Sequence, residues 1–73
     1  MGMKPRLRQK FGSRIKELRT AGGLSQEAFA DKCGYARTYM SRIETGRANV
    51  SIDAVETLAA ALRIPPEELF RGL

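Results

Sequence analysis

The sequence predicts an all-α fold of five short helices, and three observations carry that prediction. Apolar residues recur at steps of three and four along most of the chain. No stretch alternates apolar and polar residues as a half-buried strand does. Glycine or proline closes each apolar run, at Gly22-Gly23, Gly34, Gly46 and Pro65-Pro66.

The first helix is expected over about residues 5–21. Leu7, Phe11, Ile15 and Leu18 fall on one face, and lysines and arginines cover the rest. Pro5 suits a first turn, where its missing N–H has no intrahelical partner to lose. Gly12 weakens this helix and is expected to mark a close contact with another one. Ser25 is the N-cap of a second helix, with Glu27 favourable in its first turn. Its apolar stripe is Phe29, Ala30 and Cys33, and Gly34 ends it. A third helix is expected at about 36–44, closed by Gly46 and followed by a loop of turn-forming residues. Ser51 caps a fourth, about 52–62, with Ile52, Val55, Leu58, Ala59 and Leu62 inward. Pro66 can start a short fifth helix, with Glu67 and Glu68 in its first turn and Leu69 and Phe70 apolar.

Seventy-three residues make one expected domain, 1–73, with residues 1–4 flexible. A chain this short buries only about 60% of its unfolded surface, so its core is thin. One cysteine, Cys33, and no histidine exclude an internal disulfide and zinc sites of the Cys/His kind. Cys33 reads as a small buried hydrophobe. No metal, cofactor or small-molecule ligand is implied. The opening MGMKPRLRQK lacks the apolar run of a signal peptide, and Arg6 stands where a myristoylation signal needs Ser or Thr. No segment is apolar enough to cross a membrane, and a reduced, cytoplasmic setting fits. The net charge is +5, unevenly spread. The first 19 residues carry seven basic groups against Glu17, and the last 23 net −2. A basic amino-terminal half points to a polyanionic partner, or else to a solvated helix face. Arg6 and Arg8 fit decoration of the first helix better than an arm formed by residues 1–8.

The third helix carries the functional signal. Little chain joins it to the second helix around Gly34, and such a joint crosses two helices in a helix-turn-helix, here about residues 25–45. At about 100° per residue, Ala36, Met40 and Ile43 fall within about 60° of one another. Arg37, Ser41, Thr45, Thr38 and Arg42 occupy an opposite arc of about 140°. Tyr39 sits at the edge of the apolar stripe, and Glu44 lies between the faces. A major groove about 12 Å wide admits one helix, and arginine can donate two parallel hydrogen bonds to guanine. On an arbitrary helix, Arg37 and Arg42 would read as solvated side chains. After a tight turn in a basic chain, they read as base contacts.

The stretch SQEAFADKCGYARTYMSRIETGRANVSIDAVETLAAAL resembles the lambda-repressor-like, or Cro/Xre, helix-turn-helix regulators. The matches are Ser25-Gln26-Glu27, Ala30, Gly34, Ile43-Glu44, Gly46 and the Leu58-Ala59 to Leu62 run, and they span about residues 12–70. RTYMSRIETGRAN is also similar to the recognition region of restriction–modification controller proteins. The resemblance implies a compact five-helix DNA-binding domain. It implies that Arg37, Thr38, Ser41 and Arg42 read bases, and that Gln26, Arg47 and Asn49 contact the DNA backbone. Tyr39 matches a backbone-facing position, with partial burial the equal alternative. Arg19 and Glu44 match an ion pair joining the first and third helices. Dimers in the family form near the last helix, so Ile64, Leu69 and Phe70 are the implied interface, with Leu69 and Phe70 alternatively completing the core. Val50 departs from the family, which often has proline there.

Double-stranded DNA with a roughly palindromic operator, bound by a homodimer that represses or activates transcription, is therefore the expected partner and role. The rival is a protein-interaction module on the same fold, such as an antitoxin or a bridging or sensor subunit. The chain offers no nucleophile–base set and no room for a substrate pocket, so an enzyme is not expected.

Overall fold

The computed structural model describes residues 6–73. Four α-helices follow one another as α1 (Leu7–Ala21), α2 (Gln26–Cys33), α3 (Arg37–Glu44) and α4 (Ile52–Leu62), and a 3-10 segment, Pro66–Phe70, closes the chain. There is no strand among the described residues. The expected fifth helix is thus a single 3-10 stretch. Proline at its start and only five residues of length leave too few backbone bonds to propagate an α-helix. Among the described residues no helix is long and apolar enough to cross a membrane.

Local chemistry fixes the element ends. The Ser25 hydroxyl accepts from the Ala28 N–H at 3.1 Å, and the Ser51 hydroxyl from the Ala54 N–H at 3.0 Å. Gly34 has φ of 74°, the left-handed region open to glycine. That conformation lets Tyr35 N–H donate to Ala30 O at 2.9 Å, closing α2 and turning the chain at once into α3. At the start of α1, the Arg6 N–H donates to the Gln9 side-chain oxygen at 2.9 Å. Residues 1–4 and Pro5, expected as a flexible start and a first turn, lie outside the described residues.

Phe11 and Ile15 of α1, Phe29 and Ala30 of α2, Met40 and Ile43 of α3, and Leu58 and Ala59 of α4 form the core with Ala48 and Leu69. Helix α1 crosses α3 closely. A Cβ placed on Gly12 would collide with the Ile43 carbonyl oxygen and lie 2.8 Å from that of Glu44. The expected close contact at Gly12 is therefore real.

Three residues expected inside are not. Leu7 is 60% exposed and Ile52 82% exposed. Each stands at the first position of its helix, where the right phase on the wheel still overshoots the core. Ala36 is exposed as well, because it is the extended N-cap of α3 and not a helical residue. Leu69 is corrected in the opposite sense. It is 0% exposed, so it fills the monomer core and presents nothing to a partner. Its 3-10 segment is held by Arg14, whose Nε and Nη2 donate to Glu68 O at 3.1 and 3.0 Å.

Candidate nucleic-acid interface

Helix α3 is divided lengthwise. Met40, Ile43 and Glu44 are buried, while Arg37, Thr38, Arg42 and Thr45 are exposed and Ser41 is half-buried. The predicted base-reading residues therefore share an outward arc on a helix held from beneath. Burial of two apolar side chains, each contributing about 1.5–3 kcal/mol, keeps so short a helix in place. The remaining anchor is ionic.

Arg19 Nε donates to Glu44 Oε2 at 2.7 Å and Nη2 to Glu44 Oε1 at 3.0 Å, a two-point pair. Arg19 Nη1 donates to Leu24 O at 2.8 Å. Both residues are 7% exposed. The hydrogen bond to Glu44 raises the Arg19 pKa, against the opposing effect of burial. A raised value means Arg19 holds its charge, and with it its side of the pair, until strong alkali. The resemblance implied this pair, and it ties α1 to α3.

Gln26 also joins this network, as its Nε2 donates to Glu44 Oε1 at 3.2 Å. Its amide is thus held at the start of α2, beside the carboxyl end of α3. That site is suited to an anion, because the first N–H groups of a helix point outward and carry its positive dipole end.

The loop after α3 is equally constrained. Arg47 N–H and Ala48 N–H both donate to Arg42 O, at 2.8 and 3.1 Å. Arg42 Nη2 makes a long contact of 3.4 Å to Arg47 O. Ala48 is buried and pins the loop, so its neighbours Arg47 and Asn49 project into solvent. Ala48 was missed by the sequence reading, because one alanine among turn-forming residues carries no periodic signal.

Tyr39 is half-buried, its ring edge-on to Tyr35 with centroids 5.0 Å apart. Part of its surface stays open on the flank of α3. Burial raises the Cys33 thiol pKa, against a smaller opposing effect of Lys32. Of the expected interface residues, Ile64 is half-buried against the core. Phe70 is 41% exposed, with its ring 5.2 Å from that of Phe11.

Comparison with known proteins fits this geometry. Residues 10–71 match a family model described as a helix-turn-helix domain. The control protein C.MunI of a Mycoplasma species is 43% identical over 65 residues, covering 88% of each chain. The crystal structure of the restriction-modification controller protein C.AhdI from Aeromonas hydrophila superposes with a TM-score of 0.83 at 52% identity, over 85% of this chain and 94% of that one. The controller C.Esp1396I, solved as a tetramer in complex with its natural 35 base-pair operator, has a TM-score of 0.82 at 31% identity over 92% and 88% of the chains. These relatives are transcriptional regulators and not enzymes. The chain belongs to the Xre-like, lambda-repressor-like helix-turn-helix family of transcriptional regulators, among whose members are the restriction–modification controller proteins.

Proposed function

We propose that the chain binds double-stranded DNA sequence-specifically as a homodimer, on a roughly palindromic operator, and regulates transcription in the cytoplasm by occupying that site. The observation that carries this reading is the lengthwise division of α3. A fixed inner face of Met40, Ile43 and Glu44 leaves Arg37, Thr38, Ser41 and Arg42 facing out on a rigid support. The operator complex of C.Esp1396I supports it.

Two copies of α3 would enter successive major grooves about 34–36 Å apart. Gln26, Arg47 and Asn49, with the open edge of Tyr39, would set register through phosphate. Arg37, Thr38, Ser41 and Arg42 would specify sequence through base edges. The test is selection of binding sites from random duplex DNA, followed by gel shifts at several salt concentrations. Recovery of a two-fold symmetric site, bound more tightly than bulk DNA at every salt concentration, is expected. Failure to enrich any sequence would overturn the proposal in favour of a protein-interaction role.

A further inference from the structure

Tyr35 and Tyr39 stand on either side of the point where the turn becomes α3. Tyr35 belongs to the turn, and Tyr39 to the first turn of the helix. Their rings meet edge to face, with centroids 5.0 Å apart and planes at 85°. That geometry is favoured, because the positive edge of one ring lies against the negative face of the other. Both side chains are half-buried and pack against the core. Among the described residues neither hydroxyl bonds within the chain, and no buried side-chain oxygen lacks a partner, so both hydroxyls are reached by solvent.

We propose that Tyr35 is a positioning residue for DNA binding, acting by holding the ring of Tyr39. The proposal rests on the reading of Tyr39 as a phosphate contact. The backbone of Tyr35 is fixed by the turn itself. Its N–H donates to Ala30 O at 2.9 Å, a bond that the left-handed Gly34 makes possible. Its ring is therefore set by α2 and the turn, upstream of α3.

Tyr39 is placed differently. It lies on the flank of α3 with part of its surface open. A tyrosine on a helix has more than one common χ1 position. A change of χ1 would carry the hydroxyl several ångströms away from any one phosphate. The edge-on contact with Tyr35 selects among those positions before DNA arrives. Ordering a loose side chain at an interface opposes binding, so a ring already held binds more tightly than a free one. The same contact spans the joint between α2 and α3, so the turn that sets the angle of α3 also aims its phosphate contact.

Gel-shift titration on the selected operator, with a double-mutant cycle on the two tyrosines, tests this. Tyr35→Leu keeps an apolar side chain at the turn but removes the ring, and should weaken binding about 3- to 10-fold per half-site. Tyr35→Phe keeps the ring and should bind within about 2-fold of the parent. Tyr39→Phe should cost about 10-fold in the parent, as loss of a hydrogen bond to a charged group does, but under about 3-fold in the Tyr35→Leu background. Any general loss of stability in Tyr35→Leu affects both arms of the cycle alike and cancels. The free chain gives a second readout by NMR. Three-bond couplings across χ1 of Tyr39 should report one rotamer in the parent and an average in Tyr35→Leu. Averaged couplings in the parent overturn the inference, as does a Tyr39→Phe loss of equal size in both backgrounds. A loss of about 10-fold from Tyr35→Phe also overturns it, because the Tyr35 hydroxyl would then contact DNA itself. A parent that selects no sequence overturns the proposed function and this inference with it. A parent that selects one, and binds it no better than Tyr35→Leu does, overturns this inference alone.

Discussion

Helix α3 carries residues of two opposite kinds, and single substitutions should separate them. Glu44 is buried and accepts from both Arg19 and Gln26. Removing one partner of a buried pair strands the other charge, so Glu44→Ala should cost about 3–5 kcal/mol in denaturant unfolding. Replacing both partners, with Arg19→Met and Glu44→Leu, should recover most of that loss, since an apolar substitute for a buried pair is often close to neutral. A loss from Glu44→Ala no larger than that of an exposed ion pair would mean the network does not anchor α3. Arg37 stands about two turns away on the exposed face. Arg37→Ala should leave the unfolding midpoint unchanged. It should cost about 1–3 kcal/mol in binding to the selected site and relax one base position in each half. If sequence preference survives intact in that variant, Arg37 reads no base.

Elements meet where the backbone allows it, and here the sequence was legible to different depths. Ser25, Ser51 and Gly34 announced their caps and turn because each residue type has one favourable conformational use. Gly12 announced a close approach for the same reason, and Gly12→Ala should lower stability by about 1–3 kcal/mol or more, because the obstacles are α3 carbonyls and not a side chain that can swing away. Equal stability of parent and variant in urea would show that α1 and α3 can separate freely. The end of α4 fell where the sequence put it, at Leu62, but the conformation that caps it was not legible. Arg63 sits at φ of 58°, a left-handed position usually marked by glycine. Arg63→Gly should therefore raise stability by up to about 1 kcal/mol, which thermal unfolding would register as a higher midpoint. Periodicity likewise gave the phase of Leu7 and Ile52 without their depth, and it could not distinguish Leu69 in a core from Leu69 in a seam. Depth depends on where neighbouring elements stop, and no single helix encodes that.

At the scale of the whole molecule, the charge asymmetry was readable in advance because counting survives folding, but the availability of each charge was not. Seven basic groups lie in the first 19 residues, and folding engages two of the arginines internally. Arg19 is held by Glu44, and Arg14 by the Glu68 carbonyl with its side chain 16% exposed. The cations free to meet phosphate are thus fewer than the sequence suggests, and those on α3 and its loop matter most. Salt dependence measures this directly. Each phosphate neutralised by a protein cation contributes about 0.9 to the slope of log affinity against log salt concentration. Arg47→Ala should flatten that slope by about one unit per protomer, whereas Gln26→Ala should weaken binding with the slope unchanged, because a neutral amide releases no counterion. Arg14→Ala should leave the slope where it was, since that guanidinium faces the carboxyl end of its own chain. All three variants can be compared in one titration series on the selected operator. A slope that falls with Arg14→Ala and stays fixed with Arg47→Ala would move the phosphate-facing surface from α3 and its loop to α1.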